Sequence, residues 1–266
     1  MYIKPKKSLG QNFLIDKNIQ KKIICACNLS KDDVVLEIGA GKGDLTAQLA
    51  QRSRKVYALE IDQRLCPLLG MRLMAYDNCQ VIQGDILKFD INKFVEENKI
   101  RQKIKVIGNI PYYISSPIIE HLIEYRQAIS AAFLTVQKEF GQRAKAFPGS
   151  KVYGSFSCFV QYYCRALILF KISRNCFRPT PNVESCFLAL EFSQDPRVSV
   201  RNEEGLFKLI RRSFNQRRKT LRNSLEGFVN QARLSSFLEQ AGLNKNIRPE
   251  LISLEQFAAL SDFLES

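Results

Sequence analysis

Seven short runs of aliphatic and β-branched residues recur along the chain, with helically spaced segments between them. The runs lie at Val34–Ile38, Val56–Glu60, Gln80–Gln83, Ile104–Gly108, Ala131–Val136, Ile168–Ile172 and Cys186–Glu191. The segments Lys17–Cys27, Asp44–Gln51, Gln63–Met74, Pro117–Tyr125 and Ser155–Cys164 read as helices. Strands separated by helices pair in parallel, and such a sheet needs helices on both faces. The pattern therefore predicts an α/β fold built on a mostly parallel seven-stranded sheet. It stops at the polar segment Ser193–Asn202, which contains Asp195-Pro196. From Glu203 onward no strand signal survives: Leu206, Ile210 and Phe214, then Leu221 and Leu225, keep helical spacing. Further helices fit Gln231–Gln240 and Leu254–Leu264, with Gly242 placed to stop the first of them. Two domains are expected, 1–194 and a small all-helical one at 195–266.

Charge narrows the class of partner. The 266 residues carry a net charge of +14, which points toward nucleic acid. No apolar run approaches the roughly 20 residues of a membrane span. The basic start Met1–Lys7 has no apolar stretch behind it, so no secretory signal is read and the cytoplasm is the expected location. Eight scattered cysteines form no Cys-x-x-Cys pair, and a single histidine, His121, cannot complete a zinc set. Reduced thiols, a structural His121 and no metal are expected. With one histidine, hydrolase mechanisms that pair Ser or Cys with His lose their base.

The chemistry-bearing residues fall at strand ends. Asn109-Ile110-Pro111-Tyr112 follows the fourth run. The Asn109 side-chain oxygen and a main-chain carbonyl beside Pro111 can both accept from one exocyclic amine. Proline stiffens the turn and brings no competing donor, and Tyr112 can stack on the attached ring. Such a site suits methylation of a base amine. The first run leads into Gly39-Ala40-Gly41-Lys42-Gly43, whose glycines let backbone approach a ligand. Asp44 stands where a dinucleotide fingerprint has its third glycine. Glu60, with Ile61 behind it, ends the second run, where a carboxylate can accept from both hydroxyls of a ribose. Asp85 and Ile86 follow the third run, placed for the amine of an adenine. Glycine turn, ribose acid and adenine acid in that order suggest S-adenosylmethionine.

These residues resemble those of the ribosomal RNA adenine N6,N6-dimethyltransferases of the small-subunit type, over nearly the whole length. The resemblance is carried also by Ser8-Leu9-Gly10-Gln11-Asn12-Phe13-Leu14, Val136–Glu139, Pro148–Gly154, Phe177–Ser185 and Phe214–Arg222. It implies a Rossmann-like class I methyltransferase that uses S-adenosylmethionine to dimethylate N6 of two adjacent adenosines in the 3′-terminal hairpin of small-subunit (16S) rRNA. It also implies cofactor contacts at Gln11, Asn12, Leu14, Gly39, Gly41, Glu60, Ile61, Asp85, Ile86 and Asn109. Asn109, Ile110, Pro111 and Tyr112 would be catalytic, with Phe177 flanking the target base opposite Tyr112. Ala40 stands where many relatives carry proline, and Gly141 is expected to interrupt the helix after Glu139.

Lys208, Arg211, Arg212, Arg217, Arg218, Lys219 and Arg222 put seven cations in fifteen positions without an acid. With Lys4, Lys6 and Lys7 they suit a phosphate backbone, whereas Tyr162 and Tyr163 are expected to pack on a helix. The implied partner is small-subunit rRNA or an immature small subunit, met by a monomer. Three alternatives stay open: the related large-subunit rRNA methyltransferases, a DNA adenine methyltransferase, and a non-catalytic binding protein on the same scaffold. Pro148–Gly154 and Asn215–Arg222 resemble the small-subunit branch better than the large-subunit one.

Overall fold

The computed structural model describes residues 3–216 and 218–265. The chain through Gly141 together with Leu167–Gln194 forms one compact unit, and Gln142–Ala166 joins the chain from Asp195 onward in a second. Both units thus change over at 194/195, but residues 142–166, read in sequence as part of the first domain, group with the helical one.

The first unit is built on β2 (Val34–Ile38), β3 (Lys55–Glu60), β4 (Cys79–Gln83), β5 (Ile104–Asn109), β6 (Ile129–Gln137), β7 (Cys164–Ile172) and β9 (Ser185–Phe192). Their order in the sheet is β4-β3-β2-β5-β6-β9-β7. β2 pairs in parallel with β3 and β5, as do β3 with β4 and β5 with β6, while β6 and β9 are antiparallel. Every residue of β2 is buried, as a strand covered on both faces requires. Sequence order reverses between β2 and β5, so a crevice opens at the carboxyl ends of those strands. That crevice holds the site described below.

Around the sheet lie α1 (Lys17–Ala26), α2 (Asp44–Ala50), α3 (Cys66–Leu73), α4 (Ile91–Glu97), α5 (Ser115–Glu124) and α6 (Lys138–Ala144). Asp16 caps α1 by accepting from the Asn18 and Ile19 amides. α4 was not expected, whereas α6 is the helix read around Glu139. Gly141 does not break α6: a Cβ there would come within 2.4 Å of Cys186 Sγ, so the helix reaches β9 only with a bare backbone. His121 sits on α5 and hydrogen-bonds the Phe89 carbonyl at 3.0 Å, a structural contact. A two-residue ribbon also went unread: β1 (Phe13–Leu14) pairs antiparallel with β8 (Phe177–Arg178).

The second unit carries α7 (Ser155–Tyr163), α8 (Glu203–Phe214), α9 (Leu221–Ser224), α10 (Gln231–Gln240) and α11 (Leu254–Glu265). Residues 142–166 belong here for an aromatic reason. Phe207 of α8 lies 5.5 Å from Phe159, 5.1 Å from Tyr162 and 5.9 Å from Tyr163 between ring centroids. The tyrosines are therefore core, as expected. Leu206, Ile210 and Phe214 are buried, and Gly242 ends α10 at φ +64°. The Leu243 amide reaches back to the Leu238 carbonyl and that of Gly242 to Glu239, so the helix is closed by a left-handed cap. Among the described residues no helix is long and apolar enough to cross a membrane.

Candidate active site

At the carboxyl ends of β2, β3 and β5 lies a cleft enclosing about 740 Å³, partly open to solvent. Its floor is the turn after β2. Gly39, Gly41 and Gly43 all take positive φ, +70°, +59° and +79°, which side chains disfavour. The turn is held from β3. Glu60 accepts from the Gly41 amide through Oε2 at 2.7 Å and from the Asp62 amide through Oε1 at 2.8 Å. Burial raises its pKa, opposed by these amides. A carboxylate oxygen can accept more than one hydrogen bond, and Glu60 lines the cleft. Asp85 uses Oδ1 to accept from Leu87 N–H, leaving Oδ2 available.

The tetrapeptide forms the wall from β5. Asn109 donates its amide NH2 to the Asn12 carbonyl at 2.7 Å, which leaves Oδ1, an acceptor, for a ligand. The Pro111 carbonyl is engaged by Ile114 N–H and by the Ser115 hydroxyl. The Ile110 carbonyl, in contrast, receives no hydrogen bond from the described residues. Of the carbonyls beside Pro111, that of Ile110 is therefore the open one. The Tyr112 hydroxyl is bonded to Ser185 Oγ at the start of β9, which fixes the ring against the cleft. Burial raises the Tyr112 pKa, so the phenol stays neutral.

A third wall comes from residues 8–13. Gly10 packs on Pro111 and Tyr113, where a Cβ would meet Tyr113 at 2.9 Å, and Tyr113 Oη donates to the Ser8 carbonyl. Asp62 fastens this strap: it accepts from Gln11 Nε2 at 3.0 Å and is gripped by Arg64, with Lys6 Nζ at 3.8 Å. The Arg64 hydrogen bonds, with that from Gln11, hold its carboxyl below the usual range despite burial. Sequence reading missed Asp62. The only signal was an acid two residues after Glu60 with an arginine two beyond it.

Gln11, Asn12, Gly39, Gly41, Glu60, Ile61, Asp85, Ile86 and the Asn109–Tyr112 tetrapeptide all line this one cleft. Two expected residues do not. Leu14 and Phe177, paired across the β1–β8 ribbon, are core residues, Phe177 with none of its surface exposed. The expectation that Phe177 flanks a base is corrected accordingly: the ribbon turns that ring into the apolar core, where it offers no face to stack on. Among the cations of the helical unit, Lys208 pairs with Glu204 at 2.7 Å, while Arg211, Arg212, Arg218, Lys219 and Arg222 are exposed. Arg217 lies outside the described residues.

Glu37, two residues before the glycine turn, was also missed. It is buried in β2, and its Oε2 and the nearby Thr46 Oγ1 have no hydrogen-bond partner among the described residues. Desolvation pushes its pKa up to about 8, opposed by the nearby Thr46 hydroxyl and reinforced by the neighbouring Glu60 and Asp44. An unfolded chain releases this proton near pH 4.5, whereas the folded chain holds it to about pH 8. Folding therefore takes up a proton in that window, and stability falls as pH rises through it, by at most about 1.4 kcal/mol per pH unit. Glu37→Gln should remove this dependence. Thermal unfolding from pH 5 to 8 should show the variant gaining on the parent as pH rises; parallel curves would mean that Glu37 is ionised in the folded chain.

The model of the family described as "Ribosomal RNA adenine dimethylase" matches residues 3–266. A relative from Lachnoclostridium phytofermentans named ribosomal RNA small subunit methyltransferase A is 47% identical over 264 residues, 97% of this chain and 91% of its own length. One of the same name from Bacillus pumilus is 44% identical, covering 98% and 91%. Among solved structures, a dimethyladenosine transferase from Plasmodium falciparum superposes with a TM-score of 0.79 at 27% identity, over 93% of this chain and 95% of its own. The 23S rRNA methyltransferase ErmE gives 0.76 at 25%, over 96% and 100%.

Proposed function

The chain belongs to the ribosomal RNA adenine dimethylase family, and on that premise we propose that it transfers methyl groups from S-adenosylmethionine to N6 of two adjacent adenosines in the 3′-terminal hairpin of small-subunit rRNA. The observation that carries this reading is a pair of acceptors on one wall. Asn109 Oδ1 is left for a ligand because its NH2 serves Asn12, and the Ile110 carbonyl beside it has no internal donor. Two acceptors on consecutive residues of one cleft wall suit the two hydrogens of one amine.

The cleft suits the cofactor by the chemistry of its donors. The positive-φ glycine turn admits close backbone approach, Glu60 keeps lone pairs for ribose hydroxyls, and Asp85 Oδ2 is available for an adenine amine. When bound, S-adenosylmethionine supplies an electrophilic methyl on a sulfonium, whose departure needs no acid. What remains for the protein is the nucleophile, because an adenine amine's lone pair is delocalised into its ring. Hydrogen bonds to Asn109 Oδ1 and the Ile110 carbonyl favour a pyramidal nitrogen and stabilise the positive charge that develops there. Holding that nitrogen in line contributes the proximity effect. The base must leave its stack to reach the cleft, and the Tyr112 ring, pinned by Ser185, offers a surface worth about 1–3 kcal/mol of stacking.

The exposed Arg211, Arg212, Arg218, Lys219 and Arg222 would hold RNA phosphates, with Arg217 and Lys208 in the same run. The reading places the enzyme in the cytoplasm, on free rRNA or on a small subunit still being assembled. Its test is direct. Small-subunit and large-subunit rRNA from a strain lacking dimethyladenosine are incubated with the protein and labelled cofactor, then digested to nucleosides. Two N6,N6-dimethyladenosines per small-subunit rRNA are expected. Label confined to large-subunit rRNA would assign the large-subunit reaction, and no label in either would overturn the proposal.

A further inference from the structure

At the other end of the sheet, by the first residues of β2 and β3, a second cleft of about 1040 Å³ opens to solvent. Arg54, Lys55, Lys99 and Arg101 line it beside the amides of Asn98 and Gln102, and no acid lines it among the described residues. None of these four cations forms an ion pair among the described residues. Of the acids in the flanking segments, Asp33 pairs with Lys105 at 2.9 Å and Glu97 with Lys93 at 3.8 Å, while Asp32 and Glu96 stand outside the lining. The cleft is thus a concave surface lined by four cations and no acid among the described residues, which concentrates field and attracts anions.

The backbone adds a second observation. Lys99 has φ +53°, one of only two non-glycine residues with positive φ among those described. It stands just after α4 in a left-handed cap, with Lys99 N–H on the Glu96 carbonyl and Ile100 N–H on that of Val95. Glycine or asparagine is the usual occupant of that position, because a side chain there is strained. The chain holds a long cation there instead, at the rim of a cleft that three more cations line.

We infer that this cleft is a second nucleic-acid contact, which takes the backbone phosphates of the same RNA whose adenosine enters the catalytic cleft. The inference rests on the RNA substrate proposed above. Strands β2 and β3, five and six residues long, separate the two clefts, a span of about 15–20 Å at the rise of a strand. An RNA engaged at both ends would be gripped across the sheet, so this contact serves affinity and placement and leaves the chemical step alone.

The test uses the full chain with Arg54→Glu and Arg101→Glu together, both exposed positions, and the milder Arg54→Gln/Arg101→Gln pair as a guard against misfolding. The substrate is unmethylated small-subunit rRNA. Loss of two phosphate contacts should reduce the slope of log K against log salt by about 1.4–1.8. KM for RNA should rise about tenfold for the Glu pair, with kcat and cofactor affinity unchanged. A second readout is amine labelling of Lys55 and Lys99 in the parent, read by peptide mass spectrometry. The RNA should protect both lysines, and millimolar inorganic phosphate should not. Parent-like salt slopes and KM in both pairs would overturn the inference, as would protection by phosphate but not by RNA. A parent protein that methylates no RNA would instead refute the proposed function, while protection of Lys55 and Lys99 would still report on this cleft.

Discussion

Asn109→Ala is expected to lower kcat for methyl transfer by a factor of about 10²–10³ or more, the range seen when one preorganised electrostatic partner is removed from an active site. The substitution deletes the acceptor meant for the target amine. It also strands the Asn12 carbonyl, which accepts from Asn109 Nδ2 at 2.7 Å. The second effect loosens the strap, which lines the same cleft, so cofactor affinity should fall too, but by much less than kcat. Single-turnover transfer and calorimetric titration of the cofactor separate the two effects. Transfer near the parental rate would sink the assignment, because the substitution removes the side-chain acceptor next to the Ile110 carbonyl.

Glu60→Ala should act in the opposite proportion. Beside the main-chain bonds from Gly39 and Ala40 to the Leu59 carbonyl, the carboxylate ties the glycine turn to the end of β3 through the amides of Gly41 and Asp62. Removing it leaves two buried N–H groups without partners, which costs about 1–3 kcal/mol of stability apiece. It also deletes the acceptor for the ribose. Hydrogen bonds to a charged group contribute roughly 1.5–3 kcal/mol each, so two of them correspond to at least a hundredfold in cofactor Kd. Glu60→Gln keeps one acceptor oxygen but turns a donor NH2 toward a donor amide, and should fall between parent and alanine variant. Titrations alongside thermal melts would show the order; parental Kd in the alanine variant would mean that the ribose is held elsewhere.

The central sheet strands were legible because burial on both faces leaves near-continuous apolar runs such as Val34–Ile38, whereas the edge strands β4 and β7 are half-exposed and showed only as short apolar or β-branched stretches. Their ends differ from the reading by at most a few residues, most at β7, which starts at Cys164 instead of Ile168. The catalytic cleft was legible for a related reason: its acids and amide punctuate those runs. What could not be read depends on partners distant in sequence. β1 and β8 are two residues each and exist only through their pairing. That ribbon decides that Leu14 and Phe177 face the core, a matter of side-chain direction that motif position does not encode. α4 shows only Ile91 and Phe94 to the core, too sparse for helical periodicity, although Asp90 supplied a cap. Likewise the role of Asp62 exists only once the strap is in place.

The bond from Asn109 to the Asn12 carbonyl joins positions 97 residues apart, and its acceptor is main chain. A chain with its sheet assembled but its strap detached would keep nearly all of its circular dichroism and melt as one body, yet transfer no methyl groups. Contacts of such long range are among the slowest to be made as a chain folds. A strap that docks after the sheet should make activity return after dilution from denaturant more slowly than circular dichroism does, and coincident recoveries would show that strap and sheet form together.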